Sequence, residues 1–123
     1  MTLPRVLVVD DDQANRHVLL SMLKVLGAPA EAVSTASEAL EKMSTSEYDL
    51  VLMDIVLPGI SGTEAAKQIR ETYGNKPVIV GITALSPPDE SYQSAGIERT
   101  LRKPLRLSEI SRTIQDHSVV QDS

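Results

Sequence analysis

The sequence predicts an α/β domain: a doubly wound parallel sheet of five strands alternating with five helices. Three observations carry this. Short unbroken apolar runs recur, at Arg5 to Val9, Leu50 to Met53 and Pro77 to Ile82; such runs mark strands covered on both faces. Between them lie segments with apolar residues at helical spacing, bounded by capping residues or glycine. Strands and helices alternate along the chain, which implies a parallel sheet with right-handed crossovers and helices on both faces.

In chain order, Arg5 to Val9 is the first strand, and it runs into Asp10-Asp11-Asp12. A helix follows through Val18, Leu19, Met22, Leu23 and Leu26, stopped by Gly27. Glu31 to Val33 is a short second strand. Thr35 to Glu38 has the form of a capping box and opens a helix through Ala39, Leu40 and Met43. Leu50 to Met53 is the third strand, ending at Asp54, and Pro58-Gly59 turns the chain. Ser61 to Glu64 is a second capping box, before a helix through Ala65, Ala66, Ile69 and Tyr73 that ends near Gly74. Pro77 to Ile82 is the fourth strand, with Thr83 just past it. Ser86 to Asp89 reads as a helix start, and Gly96 as that helix's end. Glu98 to Leu101 is a weak fifth strand before Lys103-Pro104. Ser108 is expected to cap a last helix through Ile110 and Ile114, with a polar tail fraying from Asp116 to Ser123. The whole reads as one domain, residues 1–123, with its core at about 5–115.

Composition bounds the chemistry. Hydrophobic residues make up 41% of the 123 residues, enough for a core, but aromatics are three tyrosines alone. The core is therefore aliphatic. Without cysteine there are no disulfides, thiolate metal sites or cysteine nucleophiles. A net charge of -5 argues against nucleic acid or an anionic membrane as partner. No apolar run reaches the roughly 18 residues of a membrane span, and the N-terminus is unlike a signal peptide. A cytoplasmic protein, or a cytoplasmic part of a larger one, is expected.

The informative residues sit at the strand ends, where ligands bind in open α/β sheets. Strand one delivers Asp10 and Asp11, strand three Asp54, strand four Thr83 and strand five Lys103. In the flavodoxin-like order 2-1-3-4-5, strands one, three and four are neighbours, and three carboxylates converge. Their repulsion calls for a hard divalent cation, and oxygen-only ligands favour Mg²⁺ or Mn²⁺ over zinc. Lys103 and the Thr83 hydroxyl suit phosphoryl oxygens. Together they fit transfer of a phosphoryl group onto Asp54. Each residue alone has a structural reading: a loop cap, a surface lysine, a satisfied hydroxyl. For Asp12 the helix cap is preferred. His17 and His117 read as ordinary surface, and Tyr48, Tyr73 and Tyr92 as packing residues.

VLVVDDD, DLVLMDIVLPGISG, VIVGITA and LRKP stand in order over Arg5 to about Gln115. On these the chain resembles the receiver domain of two-component response regulators. QANRHVLLSMLKVLG, Glu38 to Leu40 and KPL are most similar to receivers of hybrid sensor histidine kinases. The resemblance implies that Asp54 is the phosphoacceptor, served by a histidine kinase or histidine phosphotransfer domain. It implies that Asp11 is a direct Mg²⁺ ligand, that Asp10 acts through metal-bound water, and that the Val56 carbonyl completes the set. Thr83 and Lys103 would contact the phosphoryl group, and the Lys103-Pro104 bond would be cis. Such a domain catalyses its own phosphorylation and dephosphorylation without being an enzyme in the usual sense. A weak homodimer would use the fourth and fifth helices.

Two other readings compete. Asp10 and Asp12 also match the start of a haloacid-dehalogenase-type phosphatase, with Asp10 as nucleophile and Asp12 as acid/base; Asp54 is then unexplained. A binding module of the same fold without phosphotransfer is the other. Two departures from the family pattern also matter. Thr100 stands three positions before Lys103, where receivers carry an aromatic switch residue. Output is then expected through Thr83, Ala84 and the segment to Gly96, or the domain serves as a relay or sink. Val56, two positions past Asp54, is apolar where polar residues are common, and it would shield a phosphoaspartate from water. The wild-type phosphoaspartate should therefore hydrolyse more slowly than that of Val56→Asn or Val56→Glu, measured as phosphoryl lifetime; equal lifetimes would count against the shield.

Overall fold

The computed structural model describes residues 2–84 and 90–118. Its elements are β1 (Val6–Val9), α1 (Gln13–Leu26), β2 (Ala30–Val33), α2 (Ala36–Thr45) and β3 (Leu50–Asp54). They continue with α3 (Gly62–Tyr73), β4 (Val78–Thr83), α4 (Glu90–Ser94), β5 (Ile97–Arg102) and α5 (Leu107–Asp116). The strands form one parallel sheet in the order β2-β1-β3-β4-β5, the doubly wound flavodoxin-like arrangement expected.

The apolar runs are continuous because both faces of the sheet are covered, and alternate residues serve opposite cores. Leu7, Val9, Val51 and Met53 pack with Ala36, Ala39, Met43, Ala65, Ala66 and Ile69 of α2 and α3. Val6, Val8, Leu50 and Leu52 pack with Leu19, Leu23, Ile110 and Ile114 of α1 and α5. Burying one such leucine stabilises by about 1.5–3 kcal/mol. The two aliphatic cores therefore hold the sheet with little aromatic contribution.

Most boundaries agree with the sequence reading. Thr35 and Ser61 cap α2 and α3 by accepting from the Glu38 and Glu64 N–H groups. Gly27, in the left-handed region at φ 80°, closes α1. Several expectations are corrected. β2 begins at Ala30, and β5 runs from Ile97 to Arg102 because buried Ile97 and half-buried Leu101 both belong to the cores. Ser108 is not the cap of α5: the first helical carbonyl is that of Arg106, which accepts from the Glu109 and Ile110 N–H groups, and no side chain caps this helix. The Ser118 hydroxyl donates to the Ile114 carbonyl, and the rest of the expected tail, 119–123, lies outside the described residues. His117 is not ordinary surface; its side chain is 12% exposed, with Nε2 3.4 Å from Glu98 Oε2. His17 is exposed as expected. The helix start read at Ser86 to Asp89 lies outside the described residues.

One charged network ties the amino-terminal end of the sheet together. Glu31 on β2 accepts from Arg5 at 3.0 Å, Lys42 at 3.1 Å and the buried Tyr48 hydroxyl at 2.8 Å. Tyr48 is thus a packing residue, with the Arg5 guanidinium 5.1 Å above its ring. The Tyr48 hydrogen bond first, then those of Lys42 and Arg5, hold the Glu31 pKa down at about 2. A pKa below its unfolded value means stabilisation that is complete above about pH 4.5 and lost as pH falls toward 2. Between about pH 5 and pH 3 the melting temperature of Glu31→Gln should therefore fall less than that of wild type; parallel declines would refute the linkage.

Candidate functional site

The site forms where four strands end. β1 and β3 pair in register through Val9 and Met53, so Asp10 and Asp54 leave the sheet side by side. Asp54 lies opposite Ile82 on β4, which puts Thr83 one step beyond it. Thr83 pairs with Arg102 on β5, and the Thr83 carbonyl accepts the Lys103 N–H at 2.9 Å. That main-chain bond fixes Lys103 over the pocket. Its Nζ lies 2.9 Å from Asp54 Oδ2 and 3.8 Å from Asp10 Oδ2. The Lys103-Pro104 bond is cis, as expected, and so is Lys76-Pro77.

The acids are held in different ways. Asp10 is 1% exposed, Asp54 6% and Thr83 3%, whereas Asp11 faces solvent. Asp10 Oδ1 accepts from the Asp12 N–H and Asp54 Oδ1 from the Val56 N–H, both at 2.9 Å. Asp12 itself caps α1, accepting from the Ala14 N–H at 2.8 Å and the Asn15 N–H at 3.3 Å. Carboxylate oxygens of Asp10, Asp11 and Asp54 all lie within 4.8 Å of one another.

Burial pushes the Asp10 pKa up; the Asp12 N–H opposes this and the Asp54 charge adds to it. For Lys103 burial alone would lower the pKa. The hydrogen bond and charge of Asp54, with the charges of Asp10 and Asp11, outweigh it, and the value is raised. Lys103 therefore stays an ammonium. Three carboxylates against one ammonium leave two negative charges. Asp10 Oδ2 is buried without a hydrogen-bond partner. An all-oxygen donor set with this charge and an orphaned carboxylate oxygen fits a hard divalent cation.

The remaining sequence candidates lie around this centre. Val56 follows Asp54 closely, with its side chain 65% exposed. Ala84 is exposed past Thr83. Thr100 is half-buried on β5 opposite Gly81, away from the carboxylates. A groove of about 430 Å³ opens beside Asp10 and Lys103, bordered by Asn15, Val18, Pro104 and Leu105. A hollow of about 490 Å³ lies at the other end of the sheet, between Tyr48, Tyr73 and Pro77, with none of these acids in it.

These features define an α/β domain with an acidic, oxygen-lined site at the carboxyl edge of its sheet. The chain belongs to the response regulator receiver domain family, which it matches over residues 6–115. It is 35% identical over 127 residues to the aerobic respiration control sensor protein ArcB of Escherichia coli K12, covering 99% of this chain and 16% of that protein. Sensor histidine kinase GacS of Pseudomonas protegens is 32% identical over 117 residues, covering 90% of this chain and 13% of GacS. Among solved structures, the receiver domain of sensor histidine kinase PA1611 from Pseudomonas aeruginosa superposes with a TM-score of 0.83 at 30% identity. That match covers 95% of this chain and 98% of the other, whose active-site cleft coordinates a magnesium ion. The chain is thus a receiver domain similar to those of hybrid sensor kinases, and spans less than a fifth of ArcB or GacS. The phosphatase alternative falls with the family match, and its acid/base candidate, Asp12, is a helix cap.

Sequence reasoning missed Gly62 as a site residue; it was visible only inside a capping box. A Cβ there would lie 2.5 Å from the Asp54 carbonyl oxygen and 2.7 Å from Ile55 Cα. The Gly62 N–H also donates to the Ile55 carbonyl at 2.7 Å. Only glycine lets α3 press on the main chain of Asp54 and Ile55. Gly62→Ala should destabilise by about 1–3 kcal/mol, since the clash outweighs the roughly 1 kcal/mol of helix propensity that alanine gains. Urea denaturation checks this, and a variant as stable as wild type would show that the close approach is dispensable.

Proposed function

We propose that this receiver takes a phosphoryl group onto Asp54 from a phosphohistidine of a histidine kinase or histidine phosphotransfer domain. The observation that carries this is the Lys103 ammonium 2.9 Å from Asp54 in a pocket shared with Asp10 and Asp11. Asp10, Asp11, Asp54 and the Val56 carbonyl would hold Mg²⁺, with Mn²⁺ as an alternative. A bound divalent cation supplies positive charge to the oxygens of the transferring group. The bond from an Asp54 carboxylate oxygen to phosphorus forms as the phosphorus–nitrogen bond breaks. The imidazole nitrogen keeps the bonding pair and takes up a proton. Lys103 neutralises charge on the phosphoryl oxygens, and the Thr83 hydroxyl donates to one of them. Hydrolysis returns the carboxylate by attack of water on phosphorus.

The domain, read as one unit over residues 1–123, would thus catalyse its own phosphorylation and dephosphorylation on the cytoplasmic side of a signalling pathway. No helix among the described residues is long and apolar enough to cross a membrane. With Thr100 in the aromatic position, output would run through Thr83 and the segment after it, or the domain would relay phosphate onward.

Acetyl phosphate with Mg²⁺ should label wild type once, at Asp54, and leave Asp54→Asn unlabelled. Label at Asp10 would overturn the assignment. Amide shifts on adding beryllofluoride should reach residues 84–96 if this segment carries the switch; shifts confined to the pocket would leave only the relay role.

A further inference from the structure

Asp10 has four polar atoms, and three are pinned by hydrogen bonds. Its N–H donates to the Val33 carbonyl on β2 at 3.1 Å. Its Oδ1 accepts from the Asp12 N–H at 2.9 Å. Its carbonyl accepts from Arg16 Nη1 at 2.8 Å. Only Oδ2 is left, buried and turned toward Lys103 at 3.8 Å.

The third bond answers a gap that the sheet creates. In a parallel sheet the N–H and carbonyl of one residue face the same neighbour. Continued pairing would therefore offer the Asp10 carbonyl an N–H from the β2 side, where its own N–H already bonds Val33. But β2 pairs with β1 only as far as Val33 opposite Val9, and the chain then turns into α2, capped by Thr35. The β1–β2 ladder therefore ends just where the acids emerge, and a half-buried Arg16 from the first turn of α1 supplies the donor to the Asp10 carbonyl. The Arg16 N–H also donates to the Asp12 carbonyl at 3.0 Å, so this one residue spans the acidic turn at both ends.

We infer that Arg16 is a positioning residue for the cation site: its guanidinium fixes the main chain of Asp10, so that Asp10 Oδ2 and the neighbouring Asp11 carboxylate meet the ion without reorganising. This rests on the reading of Asp10 and Asp11 as cation ligands. The sign of the effect separates positioning from simple electrostatics. A positive charge near a cation site repels the ion, so by charge alone its removal would tighten binding. Positioning requires the reverse, as for the partners that orient metal ligands elsewhere.

Isothermal titration calorimetry with Mg²⁺ on wild type, Arg16→Met and Arg16→Gln tests this, with metal-free melting temperatures measured in parallel. The Kd for Mg²⁺ should rise about tenfold in Arg16→Met, the scale typical of outer partners of metal ligands. It should rise in Arg16→Gln as well. The labelling rate with acetyl phosphate should return toward wild type once Mg²⁺ saturates the variant. An unchanged or lower Kd, or a rate deficit that persists at saturating Mg²⁺, overturns the inference. Should Arg16→Met not fold, Arg16→Gln decides by the same criteria. Wild-type protein that takes no Mg²⁺ would overturn this inference and the cation reading together, whereas wild-type binding with unaltered variants overturns the inference alone.

Discussion

Three carboxylates share one lysine at the edge of a sheet that is dry on both faces, and this imbalance governs the local structure. Asp10 and Asp54 are buried, and burial makes their charge costly unless something answers it. Lys103 answers part of it from β5, the far side of the sheet. The remainder is a standing demand for positive charge. The acids are therefore held close together in advance, and the chain around them is spent on keeping like charges together.

The main chain carries most of that task. Asx-type bonds from the Asp12 and Val56 N–H groups orient one oxygen of each buried acid and leave the other for chemistry. The Lys103 N–H is tied to the carbonyl of Thr83, so the lysine and the hydroxyl are linked through one hydrogen bond. Gly62 lets α3 rest directly on the backbone of Asp54 and Ile55. At the opposite end of the sheet Arg70 does comparable work, donating to the carbonyls of Gly74, Pro77 and Gly96 and so joining α3 to the starts of β4 and β5. Gly96 is required there: its φ is +91°, and a Cβ would strike the Arg70 side chain. One end of β5 is clamped, and the other carries Lys103.

The strand-end acids and Thr83 were legible because they stand at the ends of buried apolar runs, and a run of that kind fixes where the strand stops. Lys103 follows a mixed, half-buried strand and was legible through the LRKP motif. The capping boxes at Thr35 and Ser61 were legible for a similar reason, since a cap is satisfied within one turn. Ser108 failed the same test. Its side chain had the right chemistry, but the helix was already set two residues earlier by the Arg106 carbonyl. His117 looked like tail because its burial depends on β5, distant in sequence, which places Glu98 beside it.

The sequence by itself determined the strand-helix alternation, the two aliphatic cores, the set of residues at the carboxyl edge and the family. These follow from local periodicity and from residue types that few other arrangements accommodate. The tertiary structure alone decided the contacts that set the charges: the 2.9 Å approach of Lys103 to Asp54, the orphaned oxygen of Asp10, and the recruitment of Arg16 and Gly62 to the site. The reason is physical. Those contacts join residues from separate elements of the chain, and no local pattern in one strand marks which side chains its neighbours bring to its end.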